Sequence, residues 1–130
     1  NGGVIYPALH YGRDAMVGVA LFLTNLAYRQ MKVSELLKTY PQYVITKNRI
    51  DLSDKALIDK ILSEVQKIYA NENVNTIDGV KISFEDRKQW VHLRRSNTEP
   101  IIRIYAEAAT KEEADALANE VIGIAKKIIG

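Results

Sequence analysis

The clearest periodic patterns in the chain are two stretches in which apolar residues recur at spacings of three and four. Such spacing places apolar side chains on one stripe of a helix and charged side chains on the solvent-facing side. The first helix is predicted to begin at Ser53, and the second follows Thr110, which has the capping-box spacing with Glu113. The residues predicted to face inward are Ile58, Ile61, Leu62, Val65, Ile68 and Tyr69 in the first helix and Ala114, Leu117, Ala118, Val121, Ala125, Ile128 and Ile129 in the second.

Short runs rich in β-branched, aliphatic and aromatic residues indicate strands. Residues 43–51 form one such run, and residues 74–77 and 80–84 form two more on either side of Asp78-Gly79. Asp-Gly is a strong signal for a two-residue turn, so these two runs are predicted to form a hairpin.

A further strand is predicted to begin at Trp90. Alternation along it places Trp90, His92 and Arg94 on one face and Val91 and Leu93 on the other. The second group is apolar, so its face is the one expected to join the core.

The order of these elements predicts the fold class. Residues 94–98 separate the strand at Trp90 from a last strand, and Pro100, which cannot donate to a sheet ladder, marks where that strand resumes. From residue 43 the order is strand, helix, hairpin, two more strands and helix. It predicts an α+β fold, an antiparallel sheet of about four to five strands with two helices on one face. We assign this domain to residues 41–130.

The first 40 residues follow a different pattern. Residues 4–6 are predicted to form a short strand, residues 7–14 a loop, and Asp14 the N-cap of a helix. Residues 15–27 have no charge and are apolar on every side, which is typical of a buried helix or a membrane span. The run is shorter than the roughly 20 residues that a span requires. We therefore expect no membrane partner and predict a strand and helix left over from an α/β domain.

A domain boundary is predicted near Pro41. Ser34 is expected to cap a short helix that ends before this proline. The apolar helix at residues 15–27 needs a cover, from the rest of the chain or from a second copy, which makes a homodimer possible. His10, in the loop before that helix, is assigned a structural role because no carboxylate partner is identified for it.

Composition limits the classes of function. The chain has 130 residues, of which 47% are hydrophobic and 26% charged, as in ordinary globular domains. A net charge of +2 is too small to indicate nucleic acid or an anionic membrane as a partner. The chain has no Cys and two His, which argues against a metal site built from thiolates or imidazoles. The lack of Cys fits a reducing cytoplasm.

The segment from Arg94 to Thr98 concentrates hydrogen-bond donors. It offers two guanidinium groups, two hydroxyls and one amide, and Arg103 can reach back from the next strand. Arginine binds phosphate oxygens through a planar fork, and a tight turn can add backbone N–H groups. We therefore interpret the segment as an oxyanion-binding loop. The alternative is an ordinary hairpin loop with solvated arginines. His92 could support a phosphate, although a structural role is favoured.

Residues 94–107 resemble the phosphate-binding loop of the α-D-phosphohexomutases, which has the pattern R-x-S-[GN]-T-E-P followed by a hydrophobic pair, an Arg and a strand. In that family the loop belongs to the fourth and last domain, whose fold is similar to the TATA-box-binding protein, and holds the phosphate that is not transferred. The resemblance implies a substrate phosphate site made of Arg94, Ser96, Asn97, Thr98 and Arg103.

Other positions extend the resemblance. Asn97 stands where many family members have Gly, which we attribute to the ability of Asn to adopt a left-handed conformation, and Arg95 falls at a variable position. Asn1 and Gly2 resemble the end of the family's sugar-binding loop, G-E-x-[SN]-G, in the third domain. The resemblance thus implies that residues 1–40 are the C-terminal remnant of that domain and a hinge.

The activity implied by the resemblance is that of an isomerase, a phosphohexomutase of the phosphoglucomutase/phosphomannomutase type. Such enzymes interconvert hexose 1-phosphate and 6-phosphate by intramolecular phosphotransfer, using a phosphoserine in the first domain and Mg²⁺ held in the second. We therefore expect no catalytic residue, metal ligand or cofactor in this chain, and no activity from the chain alone. The expected partner is a phosphorylated hexose, and the expected location is the cytoplasm.

Two alternatives stay open at this point. One is a phosphoglucosamine mutase of the same family. The other is a stand-alone module that binds phosphate or nucleic acid. Nucleic acid is not expected, because along the sequence the basic residues are not interleaved with aromatic residues that could stack on bases.

Overall fold

The computed structural model describes residues 3–52, 54 and 56–130. The predictions made at Asn1, Gly2 and Ser53 lie outside these residues. The chain divides into two compact units, Asn1–Pro41 and Gln42–Gly130.

The first unit contains the helices α1 (Ala15–Arg29) and α2 (Val33–Lys38). As predicted, Asp14 caps α1, since its Oδ1 accepts a hydrogen bond from the Val17 N–H at 3.0 Å. The helix ends at Gln30, whose left-handed backbone has a φ of 50°. Within the described part of the chain, no residue of α1 is buried. Its apolar side chains are therefore at least partly exposed.

The loop before α1 differs from its prediction in two ways. Residues 4–6 do not form a strand, and Tyr6 makes only an isolated β-bridge with His10, because a strand needs a neighbour to satisfy its backbone groups. His10 also has a carboxylate partner, contrary to expectation: its Nε2 lies 3.0 Å from Asp14 Oδ2. The Val17 N–H bond, and to a smaller extent this contact, hold the pKa of Asp14 below its ordinary value.

The predicted cap of α2 is wrong. Ser34 lies inside the helix, and Lys32 occupies the N-cap position. The Glu35 carboxylate accepts a hydrogen bond from the Lys32 backbone N–H at 2.9 Å, so the start of the helix is satisfied from inside its first turn. Among the helices that the structure describes, none is long and apolar enough to cross a membrane.

The second unit contains the predicted strands and helices in the predicted order. The strands form one antiparallel sheet of five with the order β1-β5-β4-β3-β2, and the two helices pack on one of its faces. This arrangement confirms the predicted α+β fold. The elements are β1 (Val44–Asp51), α3 (Ala56–Ile68), β2 (Asn73–Asn75), β3 (Val80–Phe84), β4 (Gln89–Arg95), β5 (Ile101–Ala108) and α4 (Lys111–Ile129).

The core of this unit lies between the helices and the sheet. The predicted alternation in β4 is confirmed: Val91 and Leu93 are fully buried, while Arg94 is exposed. We call the face of the sheet opposite to α3 and α4 the open face. The largest fully buried side chains of this core are Ile58, Ile61, Val65, Ile82, Phe84, Val91, Leu93, Ile102, Ile104 and Val121.

The predicted helix stripes are confirmed except at their margins. Ile68 is 55% exposed and Ile129 is 40% exposed. Leu62 packs against the core, whereas Ile68 is the last residue of α3 and does not belong to the core cluster. Ile129 is the last residue of α4, beyond the helical turns that pack against the core.

The hairpin before β4 is shorter than predicted. Its first strand ends at Asn75, and Ile77 is 91% exposed in the connection. The Ile77 N–H donates to the Asn75 side-chain oxygen at 2.9 Å. This local bond takes the place of a ladder bond, so residues 76–79 form the connection instead of a two-residue turn.

Gly79, at the end of this connection, touches the strand that leads to the polar loop. Its φ is +84°, and a Cβ added there would lie 2.2 Å from the Leu93 carbonyl oxygen and 3.1 Å from the Arg94 Cα. Only glycine permits both this backbone conformation and this approach. The residue thus helps to set the position of the Arg94 backbone.

We expect Gly79→Ala to lower the free energy of unfolding by roughly 2–4 kcal/mol, from left-handed strain and steric overlap. Gly123→Ala is the matched control, because an added Cβ there meets no atom within 4 Å, and alanine favours a helix by roughly 0.5–1 kcal/mol. Chemical denaturation measures both. Equal stability of Gly79→Ala and the unmodified chain would contradict the close approach.

Tyr69 joins α3 to α4. Its hydroxyl donates to Glu120 Oε1 at 2.6 Å, and its ring meets that of Phe84 edge-on with centroids 5.8 Å apart. Burial, together with this carboxylate, raises the pKa of Tyr69. The residue therefore stays neutral and remains a donor at neutral pH.

We expect Tyr69→Phe to lower the free energy of unfolding by about 1 kcal/mol, because the ring contacts remain and one hydrogen bond is lost. The control is Tyr105→Phe, whose side chain lies on the open face of the sheet, outside the core. Thermal unfolding followed by circular dichroism compares the two variants. A Tyr69→Phe variant as stable as Tyr105→Phe would show that the bond contributes nothing.

Candidate oxyanion-binding site

The loop between β4 and β5 is closed by backbone hydrogen bonds at its base. The Ser96 N–H donates to the Ile101 carbonyl at 3.1 Å, and the Ile101 N–H donates to the Glu99 carbonyl at 2.8 Å. The Pro100 carbonyl accepts from the Leu52 N–H at 2.9 Å. β5 begins directly after Pro100, as predicted. The loop is thus held between two paired strands.

The predicted site residues of this loop line one cavity. Its volume is about 200 Å³, large enough for a phosphate group, and in the described part of the chain no carboxylate lines it. The lining therefore combines guanidinium, hydroxyl and amide donors. The lining residues are Arg94, Arg95, Ser96, Asn97, Thr98 and Arg103.

The register of β4 and β5 sets the positions of the two principal cations. Arg94 lies directly opposite Arg103, and both project from the open face. Like charges at opposed positions repel each other, and each arginine has a nearby carboxylate. Arg94 Nε lies 3.1 Å from Asp78 Oδ2, and Arg103 Nη2 lies 3.9 Å from Glu99 Oε2. Both side chains are about half exposed, so these ion pairs are weak.

Arg95 differs from Arg94 in its surroundings. It is the next residue along β4, and its Nη1 lies 3.7 Å from the carboxylate of Asp59 on α3. Alternation directs it toward the helices, away from the open face. Arg95 contributes to the rim of the cavity from a different side than Arg94.

The middle of the loop supplies neutral polar groups. Ser96 is 9% exposed, and its Oγ lies 3.4 Å from Thr98 Oγ1, so the two hydroxyls are next to each other. Asn97 does not use the left-handed conformation that asparagine tolerates. The described non-glycine residues with positive φ are Gln30 and Lys88. The loop turns without a left-handed residue at Asn97, so an asparagine there carries no strain.

His92 contacts the hairpin connection and does not line the cavity. Its Nε2 lies 2.6 Å from the Asp78 carbonyl oxygen. Asp78 therefore contacts β4 twice, through its carbonyl at His92 and through its carboxylate at Arg94. Sequence reasoning identified Asp78 only as a turn residue. Its role beside Arg94 depends on the pairing of Val80 with Leu93.

The open face is more basic and more aromatic than the sequence alone indicated. Lys47, Tyr105, His92 and Lys81 lie side by side across β1, β5, β4 and β3. Basic and aromatic residues that are distant in sequence are thus interleaved by strand pairing, contrary to the inference drawn from their order along the chain.

The structure does not test one part of the predicted site. Asn1 and Gly2, the predicted remnant of a sugar-binding loop, lie outside the described residues. Among residues 3–52, 54 and 56–130, no group of three or more His, Asp or Glu side chains is arranged to hold a metal ion.

Comparison with known proteins identifies the family. Residues 48–124 match the family model of the phosphoglucomutase/phosphomannomutase C-terminal domain. The phosphoglucosamine/phosphogalactosamine mutase of Sulfurisphaera tokodaii is 39% identical over 99% of this chain, which spans 28% of that protein. The phosphoglucomutase/phosphomannomutase of Thermococcus kodakarensis is also 39% identical, over 88% of this chain and 25% of its own length.

The fold has solved counterparts. N-acetylphosphoglucosamine mutase of Aspergillus fumigatus superposes with a TM-score of 0.58 at 21% identity, covering 92% of this chain and 22% of that one. This chain spans between a fifth and a third of the length of these proteins. The model of the family's C-terminal domain matches residues 48–124, which is more than half of this chain, so the chain belongs to the phosphoglucomutase/phosphomannomutase family.

Proposed function

We propose that this chain is the C-terminal part of a phosphohexomutase, an isomerase that interconverts hexose 1-phosphate and 6-phosphate by intramolecular phosphotransfer. Within it, Arg94, Ser96, Asn97, Thr98 and Arg103 hold the phosphate that is not transferred. The observation that carries the proposal is the cavity lined by three guanidinium groups, two hydroxyls and one amide, with no carboxylate among its described lining residues. Family membership supports the same activity.

The residues of the cavity bind and orient the substrate. Arg94 and Arg103 present guanidinium groups from adjacent strands, and such groups bind phosphate oxygens in pairs. The hydroxyls of Ser96 and Thr98 and the amide of Asn97 donate single hydrogen bonds. A phosphate held in this way directs the other end of the sugar toward the group that reacts with it, which contributes to the rate by orientation.

Phosphate binding requires the arginines to leave their present partners. Asp78 and Glu99 neutralise part of the charge of Arg94 and Arg103 when no ligand is bound. A dianionic phosphate attracts two guanidinium groups more strongly than two half-exposed carboxylates do. We therefore assign both carboxylates a role as exchangeable counter-ions.

The chemical step belongs to parts of the parent protein outside this chain. An N-acetylphosphoglucosamine mutase of similar fold was solved with GlcNAc-6P and magnesium, and Mg²⁺ supplies charge neutralisation in phosphoryl transfer. The described residues of this chain do not fit such an ion, because they contain no suitable cluster of acidic or imidazole ligands. We therefore expect the chain alone to be inactive.

We also propose a cytoplasmic location for the parent enzyme, because a chain without Cys fits a reducing compartment.

We also propose that residues 1–40 are the end of the third domain of the parent enzyme. The support is α1, whose apolar residues are at least partly exposed: Met16 is 77% exposed and Leu23 is 55% exposed. Such a helix requires an apolar cover, which either the rest of that domain or a second copy of the chain supplies. Measuring the mass of the chain against its concentration distinguishes these two covers.

The sugar is either a neutral or an amino hexose. One relative that is 39% identical acts on glucosamine and galactosamine phosphates and another on glucose and mannose phosphates, as their names state. Competition of glucosamine 6-phosphate with glucose 6-phosphate for the parent enzyme, followed as kcat/KM for each sugar, decides between these two substrates.

We expect Arg94→Ala to weaken binding of glucose 6-phosphate to the chain by roughly 10- to 100-fold, the equivalent of one or two charge-assisted hydrogen bonds. Arg95→Ala is the matched control, since Arg95 is directed toward Asp59, and we expect a loss of less than about fivefold. Isothermal titration calorimetry measures both.

Two results would contradict the proposed site. One is an Arg94→Ala variant that binds as tightly as the unmodified chain while retaining its circular dichroism spectrum. The other is binding of a single-stranded oligonucleotide that is tighter than that of hexose phosphates and falls steeply with salt, which would favour a nucleic-acid-binding module instead.

A further inference from the structure

A third arginine extends the pair at the loop. Arg49 on β1 lies directly opposite Arg103, which in turn lies opposite Arg94. The three residues therefore form one row across three adjacent strands, on the open face. Directly opposed side chains have Cβ atoms about 4.5–5.5 Å apart, and like charges at that distance repel each other. The loop cavity accounts for Arg94 and Arg103 and leaves Arg49 unexplained.

Arg49 lines a second cavity beside the first. Lys47, Arg49 and Arg103 line it together with Tyr105 and one carboxylate, that of Glu99. Arg103 is common to both cavities. Three cationic groups against one carboxylate leave an excess of positive charge, which an anion can neutralise. The Tyr105 hydroxyl adds a hydrogen-bond donor to this lining.

We propose that this second cavity is an oxyanion subsite that binds a phosphoryl group of a small phosphorylated metabolite through Lys47, Arg49 and Arg103. The subsite extends the row of cations beyond the loop, with which it shares Arg103. A molecule with two phosphoryl groups, or two separate phosphates, can therefore occupy the open face at once.

The present partners of these cations are weak competitors for a phosphate. Arg49 Nε lies 3.7 Å from Asp51 Oδ1, and the two side chains are 64% and 72% exposed. Glu99 lies 3.9 Å from Arg103. Exposed ion pairs at such distances contribute little stability, so a phosphate dianion displaces them. Since the subsite has exposed side chains and no closed loop, its affinity is lower than that of the loop cavity.

A small ligand fits the open face better than a nucleic acid. The Trp90 ring, the largest aromatic group there, is covered by Lys81, whose Nζ lies 4.7 Å from the ring centroid. Its indole N–H donates to Glu107 at 2.8 Å. A base that stacks on Trp90 would have to displace Lys81, whereas a phosphate beside Arg49 displaces only weak ion pairs.

The test is a titration of the chain with inorganic phosphate at constant ionic strength, followed through backbone amide and arginine side-chain NMR signals. We expect two sets of shifts with separate dissociation constants, one at residues 94–98 and a weaker one at residues 47–49. Arg49→Gln should weaken the second by roughly tenfold or more and leave the first within a factor of two. Lys81→Gln removes a lysine of the same face outside both cavities, and we expect it to change neither.

The outcomes are distinct for the two sites. Absence of shifts at residues 47–49, or shifts there that share the loop's dissociation constant and disappear in Arg94→Ala, would overturn the subsite. If Arg49→Gln and Lys81→Gln weakened phosphate binding at residues 47–49 equally, the binding would reflect general charge attraction, and the subsite would also be overturned. Shifts at residues 47–49 without shifts at residues 94–98 would support the subsite and remove the proposed function of the loop.

An oligonucleotide arm tests the source of the phosphoryl group. If a single-stranded oligonucleotide shifts Arg49, Lys81 and Trp90 together at concentrations at which phosphate shifts none of them, the open face is a nucleic-acid surface. That result would overturn the assignment to a small metabolite.

Discussion

The antiparallel pairing of β4 with β5 is the constraint on which the candidate site depends. Leu93 lies opposite Ile104 in this pairing, and both are fully buried against the helices. A slip of one residue would turn these side chains to solvent and the arginines into the core. Burial of the apolar face therefore fixes Arg94 opposite Arg103, and the energy that holds the two cations together comes from the core on the other side of the sheet.

The hairpin connection adds a second constraint from the neighbouring strand. Gly79 approaches the β4 backbone so closely that no other residue fits, and Asp78 contacts both His92 and Arg94. The turn thus supports the strand at the position where the loop begins. Asp78 and Glu99 offset part of the repulsion between Arg94 and Arg103. Because these ion pairs are weak, a phosphate can replace the carboxylates.

Much of this arrangement could be predicted from local sequence patterns. The stripes of α3 and α4, the alternation in β4 and the end of the loop at Pro100 follow from periodicity and from the limits on proline. The errors occur where a side chain competes with the backbone or where a neighbour is needed. Asn75 captures an N–H and shortens the predicted hairpin, and residues 4–6 form no strand without a partner.

The candidate site itself was accessible to sequence reasoning because its residues are contiguous, apart from Arg103. The row that includes Arg49 was not, because Arg49 and Arg103 are brought together by strand register and nothing in either segment indicates the other. The interleaving of Lys47, Tyr105, His92 and Lys81 was hidden for the same reason. Long-range register is the information that a single sequence does not contain.

A crystal structure of the chain with glucose 6-phosphate tests the central claim most directly. The account predicts that the phosphate lies in the cavity formed by residues 94–98, with oxygens within hydrogen-bond distance of Arg94 and Arg103, and that Arg94 has left Asp78. A phosphate bound elsewhere, or an Arg94–Asp78 ion pair that persists beside an occupied site, would contradict it.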